Sequence, residues 1–423
     1  MRILFFADNF PPETNAQASR VFERARYWVR WGHSVTVITC APNFPEGEVF
    51  PGFRNRWRQT EMMAGIRVVR VKTFIAANRG KFRRMADYLS FLPGAICAAL
   101  FETTPDIVAA TSPQMFAALA GLMVSRLRRR PFLLEVSDLW PESLLAVGAM
   151  RKPNLVTRGL ASLASLLYRR ADRIVVLTEA FRDTIAGIGV ARDKIDVILN
   201  GVDLERYWPR SRDTELARRW QISPARFVVG YIGTLGLAHG LENVLDAAKR
   251  LANSPAFFLL VGTGAEKNRL LAAAKQRGLN NVLFVPAQPK DAMPRYWSLC
   301  DLALVHLKDA QLFETVIPSK LFEAMGMGLP ILLVAPKGEA SRLVLKEGVG
   351  VHLPAGHPAD FALSLALMMS AQGTIDGMAA RSRAAAPNYS RAIQARLYIT
   401  SLEQACRPAL ASNKGLAPSQ LHS

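Results

Sequence analysis

The sequence predicts an α/β protein of two doubly wound parallel-sheet domains that face each other across a cleft. Three observations lead there. At 423 residues the chain is longer than a single hydrophobic core usually grows. Apolar β-rich runs alternate with amphipathic helical stretches, the pattern of a sheet covered on both faces. That alternation halts at a polar, proline-containing stretch, Leu204 to Leu216, and then restarts. The expected division is residues 1–205, residues 206–388, a C-terminal helix at 389–406 free to pack back on the first domain, and a disordered tail at 407–423.

In the first series the strand candidates are "RILFFA", "HSVTVIT", "IRVVRV", "DIVAA", "PFLLEV", "RIVVLT" and "IDVIL". Helical stretches lie between most of them, among them Ala18 to Gly32, which closes on glycine as a C-cap would. The second series reads "RFVVGYIGTLG", "AFFLLVG", "NVLFV", "DLALVHL", "PILLVA" and "VGVHL". Ligand sites in open parallel sheets lie beyond the carboxyl ends of strands, so the loops that follow strands deserve the closest reading.

Composition narrows the field. Fifty-three Lys and Arg against 34 Asp and Glu give a formal charge of +19, which suits nucleic acid, an anionic membrane surface or small anionic ligands. No helix-turn-helix, zinc or RNA-binding motif supports nucleic acid, and aromatic residues do not alternate with basic ones. Four scattered cysteines, without metal-ligand spacing, fit a reducing compartment. The longest uncharged runs fall short of the ~20 residues of a spanning helix, and the N-terminus reads as a first strand, which places the chain in the cytoplasm. The segment from Asn78 to Phe101 pairs Arg79, Lys81, Arg83 and Arg84 with an apolar run; it suits contact with anionic lipid, or else an ordinary buried helix with a solvated basic end.

The loop after the first strand, "ADNFPPETNAQASR", lacks the glycines of a dinucleotide fingerprint. Glu13 and Asn15 either offer side chains to a ligand or supply turn and N-cap chemistry. In the loop after "PFLLEV", Asp138, Trp140 and Glu142 stand where that strand reaches the cleft: Asp138 and Glu142 are catalytic candidates and Trp140 an acceptor contact, unless Trp140 simply packs and Asp138 caps a turn.

The second domain offers two glycine loops. Gly233, Thr234, Gly236 and His239 precede a helix near Leu241; Gly262 follows the next strand, ahead of a helix that carries Lys267. Glycine permits close approach of backbone to phosphate, and helix N-termini favour anions, although tight turns use glycine too. A third loop, after "DLALVHL", runs through Glu314 and Thr315 into a short helix entered at Pro318 or Ser319. Lys320 would meet phosphate or sugar oxygens, and Glu323, one turn on, would accept hydrogen bonds from a vicinal diol such as ribose. The competing reading is an exposed i, i+3 ion pair.

The segments "FPPETNAQASR", "GHSVTVITCAPNFPEG", "SDLWPES", "ILNGVDLERYWP", "GTLGLAHGLENVL", "VGTGAEKNRL" and "IPSKLFEAMGMGLPIL" occur in the order of a known family. Across nearly its whole length the chain resembles the family-4 retaining glycosyltransferases of the GT-B fold, with two Rossmann-like domains. It is most similar to the bacterial WbuB-like and WcaI-like fucosamine and fucose transferases. The resemblance implies a UDP- or GDP-sugar donor held by the second domain, a polyprenyl-linked saccharide acceptor held by the first, no metal, no cofactor, and a peripheral position on the inner face of the plasma membrane. It also implies that Glu314, Thr315, Pro318, Ser319, Lys320 and Glu323 bind donor. The chain departs from the family pattern where Thr315 replaces the first glutamate, where Thr234 and His239 replace an arginine and a lysine, and where Ser137 replaces a histidine. Lys267 and Lys320 then become the candidate cations for the diphosphate. A nucleotide-sugar 2-epimerase and a non-catalytic nucleotide-sugar-binding membrane partner are the alternatives, and no oligomeric state is implied.

Overall fold

The computed structural model of the chain describes residues 1–44, 47–75, 81–139 and 155–407. Trp140, Glu142, Arg79 and the tail at 408–423 lie outside the described residues. The first sheet is built from β1 Arg2–Phe6, β2 Ser34–Cys40, β3 Arg58–Met63, β4 Ile66–Val71, β5 Ile107–Thr111, β6 Phe132–Val136, β7 Arg173–Val176 and β8 Ile195–Val197. Their order is β3-β4-β2-β1-β5-β6-β7-β8, parallel throughout except for the β3–β4 pair. β3 is absent from the sequence reading. Its residues, RQTEMM, alternate exposed and half-buried positions at the sheet edge and contain no apolar run for a pattern to register.

The second sheet holds β9 Phe227–Ile232, β10 Ala256–Val261, β11 Val282–Val285, β12 Leu302–His306, β13 Ile331–Val334 and β14 Gly350–Leu353. All pairs are parallel, in the order β11-β10-β9-β12-β13-β14. Strands β5, β6, β12 and β13 are buried along their entire length, because helices cover both faces. Each sheet carries one apolar cluster per face, anchored by Trp28 in the first domain and by Trp297 in the second. In both sheets the strand order reverses beside the first strand, at β1/β5 and at β9/β12. Ligand crevices form at such reversals.

The final helix, Arg391–Cys406, returns to the first domain. Its Tyr398 ring lies 5.1 Å from Trp28 and 6.5 Å from Phe5, and Trp28 Nε1 donates to the Ala395 carbonyl at 3.1 Å. The chain thus crosses between domains twice, near Asn200 and again near Ser390, where Val202 and Ser390 form a β-bridge.

The basic and apolar segment folds as helix Lys81–Leu100. Phe91, Ala95, Ala98 and Ala99 are buried in the core, while Leu89, Leu100 and the following Phe101 are exposed. Among the described residues no helix is long and apolar enough to cross a membrane.

Candidate active site

Between the sheets lies a cavity of about 460 Å³. The first domain supplies Asn15, Gln17 and Arg20 from the start of helix Ala16–Arg30, Gln114 after β5, Asp138 after β6 and Asn200 beyond β8. The second domain supplies Val316, Ile317, Ser319 and Phe322. Helix Ser319–Gly326 is shared by two environments: Ser319 and Phe322 face this cavity, while Lys320, one position round, turns toward the glycine loops and Glu323 toward Trp297. Positions i and i+3 share a face, so one short helix separates the two. Its N-cap is Pro318, with Ser319 already inside the helix.

On the second-domain side the glycine loops interlock. Gly233, Gly262 and Gly264 have φ of 145°, 151° and 157°, conformations that side chains rarely permit. A Cβ on Gly262 would collide with the Gly233 carbonyl, and one on Gly264 with that of Leu235. Against this loop stands Lys320. It is buried, its Nζ lies 3.6 Å from the centre of the Tyr231 ring, and that nitrogen would be 2.9 Å from a Cβ on Gly233. Nζ has no hydrogen-bond partner. Burial pushes its pKa down to about 7, with Glu323 opposing the shift. The exposed ion pair allowed by the spacing is therefore not what forms. An ammonium held without a partner in a low-dielectric site is costly, and an anion beside it removes that cost.

Glu323 is half-buried and accepts from Trp297 Nε1 at 3.4 Å. Burial raises its pKa, against the pull of Lys290, that hydrogen bond and Lys320. His239 and His306 clasp each other through backbone: His239 Nδ1 meets the His306 carbonyl at 3.3 Å, and His306 Nδ1 meets the His239 carbonyl at 2.7 Å. Burial holds both imidazoles down to about 4, so they are neutral near pH 7 and fix the loop rather than supply charge. Thr234 offers its carbonyl to the Tyr231 hydroxyl at 2.7 Å, and Gly236 caps the turn Leu237–His239. Lys267 begins helix Lys267–Gln276 and is half-buried.

Glu314 ends the turn Gln311–Glu314 with its side chain exposed, while Gly338 packs on its backbone. Thr315 acts through backbone, its carbonyl accepting from Thr178 Oγ1 of the first domain at 2.8 Å. A second tie crosses nearby: Glu339 Oε1 accepts from the Ala180 amide at 2.8 Å, at the start of helix Glu179–Gly187. Glu339 thereby caps a helix of the other domain.

On the first-domain side, Glu13 is turned inward. Its carboxylate accepts from the amides of Phe10, Asn43 and Phe44 at 3.2, 2.8 and 2.9 Å, and it is not in the cavity wall. The turn-chemistry reading describes it. Asn15 is the N-cap of helix Ala16–Arg30 and also lines the cavity. Asp138 lines it too, with its pKa raised to about 6 by burial against the opposing charge of Arg20.

Two acids are absent from the sequence reading: Asp8 in the cavity wall and Glu135 behind it. Glu135, fully buried at the end of β6, accepts from Arg20 Nε at 2.7 Å and from Arg24 NH2 at 2.7 Å. A lone acid in an otherwise apolar strand, "FLLEV", is the signal that could have marked it, since a buried carboxylate requires cations. Asp8 accepts from Gln17 Nε2 at 2.8 Å, and burial raises its pKa. No cluster of His, Cys, Asp or Glu among the described residues could hold a metal ion.

These features define a two-domain α/β enzyme whose cleft is lined by an interlocked glycine loop and a buried cation on one side and polar loops on the other. Residues 15–201 match the glycosyl transferase 4-like domain and residues 213–388 the glycosyl transferases group 1 family. Over 336 residues, 78% of this chain and 82% of the relative, the chain is 26% identical to the provisionally named colanic acid biosynthesis glycosyl transferase WcaI of Escherichia coli (strain K12). It is 27% identical over 364 residues, 84% of each chain, to a GDP-mannose-dependent alpha-mannosyltransferase of Mycobacterium tuberculosis (strain CDC 1551 / Oshkosh). Anabaena HepE, solved in complex with UDP-glucose, superposes with a TM-score of 0.70 at 19% identity, over 96% of this chain and all of the other. The lipopolysaccharide glycosyltransferase WaaG superposes with a TM-score of 0.65 at 15% identity, over 94% of this chain and 99% of the other. The chain belongs to the family-4 glycosyltransferases of the GT-B fold and is a glycosyltransferase.

Proposed function

We propose that the protein transfers a hexose-type sugar from a UDP- or GDP-sugar to a polyprenyl-linked saccharide during bacterial surface polysaccharide assembly, with retention of anomeric configuration. The observation that carries the donor assignment is the unpartnered Lys320 ammonium beside Gly233. A diphosphate there would gain a charge-assisted hydrogen bond and relieve a buried charge at once. Glu323, one turn along, takes the ribose, and Asp138 across the cleft takes the acceptor hydroxyl. The names of relatives agree: one mannosyltransferase is GDP-mannose-dependent, and HepE was solved with UDP and with UDP-glucose.

For the acceptor, the exposed Leu89, Leu100 and Phe101, together with the charge of +19, favour an anionic membrane surface at the cytoplasmic face. The deciding experiment is a panel of UDP- and GDP-sugars offered with polyprenyl-linked saccharides, scored for free nucleotide and for glycolipid. Glycolipid formation supports transfer. Donor conversion without acceptor would indicate an epimerase, and binding without turnover a non-catalytic partner; either result overturns the proposal.

A further inference from the structure

The connector between the domains lies against the helix that carries the donor residues. Gly326 has no side chain to hold it off: a Cβ there would be 3.1 Å from the Tyr207 carbonyl oxygen and 3.2 Å from the Tyr207 Cβ. Tyr207 is buried and belongs to the same apolar cluster as Phe322 and Trp297. Glu323 lies one turn before Gly326 on the same side of the helix, and its carboxylate faces the Tyr207 hydroxyl. Trp297 Nε1 also donates to Glu323 Oε2, at 3.4 Å. Two buried rings thus converge on one half-buried carboxylate. Burial and that carboxylate both push the phenol's pKa up, so toward Glu323 it acts as a donor. The connector is fixed in turn: the Tyr207 amide donates to the Asp203 carbonyl at 2.8 Å, and Arg206 beside it pairs with Glu23 of the first domain at 3.5 Å and with Asp291 of the second at 3.1 Å.

We propose that Tyr207 is a positioning residue for donor binding: with the Trp297 indole, its hydroxyl holds the Glu323 carboxylate in the orientation that accepts both hydroxyls of a ribose. It rests on the donor reading above, in which Glu323 takes the ribose. A carboxylate offers roughly four lone-pair sites. Tyr207 and Trp297 engage two of its sides, and a vicinal diol takes what they leave. The last torsion of a glutamate is broad, so without the phenol the carboxylate turns more freely and meets the diol less often in the right plane. Because Tyr207 stands in the connector, recognition of the nucleoside is built partly outside the sheet that carries the glycine loops.

The test reads binding, so it does not depend on turnover. UDP and 2′-deoxy-UDP are titrated by calorimetry into the full chain, or GDP and 2′-deoxy-GDP where GDP binds more tightly. Wild type prefers the ribonucleotide about tenfold or more, and Glu323→Ala removes the preference. Tyr207→Phe, which keeps the ring, shrinks the preference about threefold or more and adds nothing to Glu323→Ala. Where Tyr207→Phe does not fold, Gly326→Ala serves: it presses on the Tyr207 backbone without removing a hydrogen-bonding group, and the preference shrinks again. A merely structural tyrosine would weaken both nucleotides equally. The proposal is therefore overturned if the preference survives Tyr207→Phe, or its stand-in, at the wild-type ratio. A preference that is absent from wild type, or that survives Glu323→Ala, overturns the ribose reading itself and this proposal with it.

Discussion

Lys320 Nζ stands 3.6 Å from the centre of the Tyr231 ring and has no hydrogen-bond partner. The ring offsets some of the burial cost through its quadrupole, yet the pKa still falls to about 7. Because the folded value lies below the unfolded one, near 10.4, the unfolded chain binds more protons between them. Stability of the free protein therefore rises as pH increases from 7 to 10. Lys320→Met removes that rise, raises stability at pH 7 by about 1 kcal/mol or more, and lowers UDP affinity at least tenfold. Chemical denaturation at several pH values and calorimetry check the two arms.

The same ammonium makes donor binding proton-coupled. A diphosphate beside Lys320 restores its pKa, so UDP binding at pH 7.5 takes up a fraction of a proton from buffer. Calorimetry in buffers of different ionisation enthalpy reads the uptake directly. Lys320→Met abolishes it; uptake that persisted in that variant would assign the proton elsewhere.

Asp138 titrates at about 6 because burial outweighs the attraction of Arg20. If it accepts the hydroxyl proton of the acceptor, kcat/KM falls on the acid side with an apparent pKa near that value. Asp138→Asn lowers kcat about a hundredfold or more and leaves UDP affinity within about twofold. A rate profile flat from pH 5 to 8 would remove Asp138 from the chemistry.

Glu23 joins the domains. Its carboxylate pairs with Lys290 of the second domain, with Arg206 at 3.5 Å in the connecting segment and with Arg391 at 2.9 Å at the start of the returning helix. Although burial opposes ionisation, these three cations together hold its pKa below the usual carboxylate value. The stabilisation is thus fully present above pH 4.5 and is lost as pH falls through the lowered value. Glu23→Ala leaves three cations facing one another and costs about 3 kcal/mol. Solution scattering should show a wider distribution of domain orientations, since Lys290 no longer anchors the second domain.

The contrast between Lys320 and Glu23 shows what a sequence can carry. Strand-to-helix alternation located both sheets, because parallel strands buried on both faces are continuous apolar runs, and only the edge strand β3 lacked one. The i, i+3 spacing of Lys320 and Glu323 placed both on one side of a short helix, but their burial depends on Tyr231 and Trp297, far away in the chain. Glu23 meets Lys290 across 267 positions, and Arg20 meets Glu135 across 115. No local period encodes such pairs. In sequence each is an ordinary charged residue on a helix, and the chain crossings that bring them together are tertiary facts.

Gly262 carries the last prediction. It has φ of 151°, and a Cβ there would run into the Gly233 carbonyl. Gly233 in turn abuts the Lys320 side chain, so the two glycine loops and the buried cation form one stack. Gly262→Ala must displace the Gly233 loop, because backbone cannot yield as a flexible side chain does. The substitution costs about 2 kcal/mol in stability and at least tenfold in UDP affinity, through the position of Lys320 and without removing any charge. Combined with Lys320→Met, its effect on UDP affinity is less than additive, since both act on the same contact. A double-mutant cycle decides: full additivity would mean that the glycine stack and the ammonium contribute to donor binding independently.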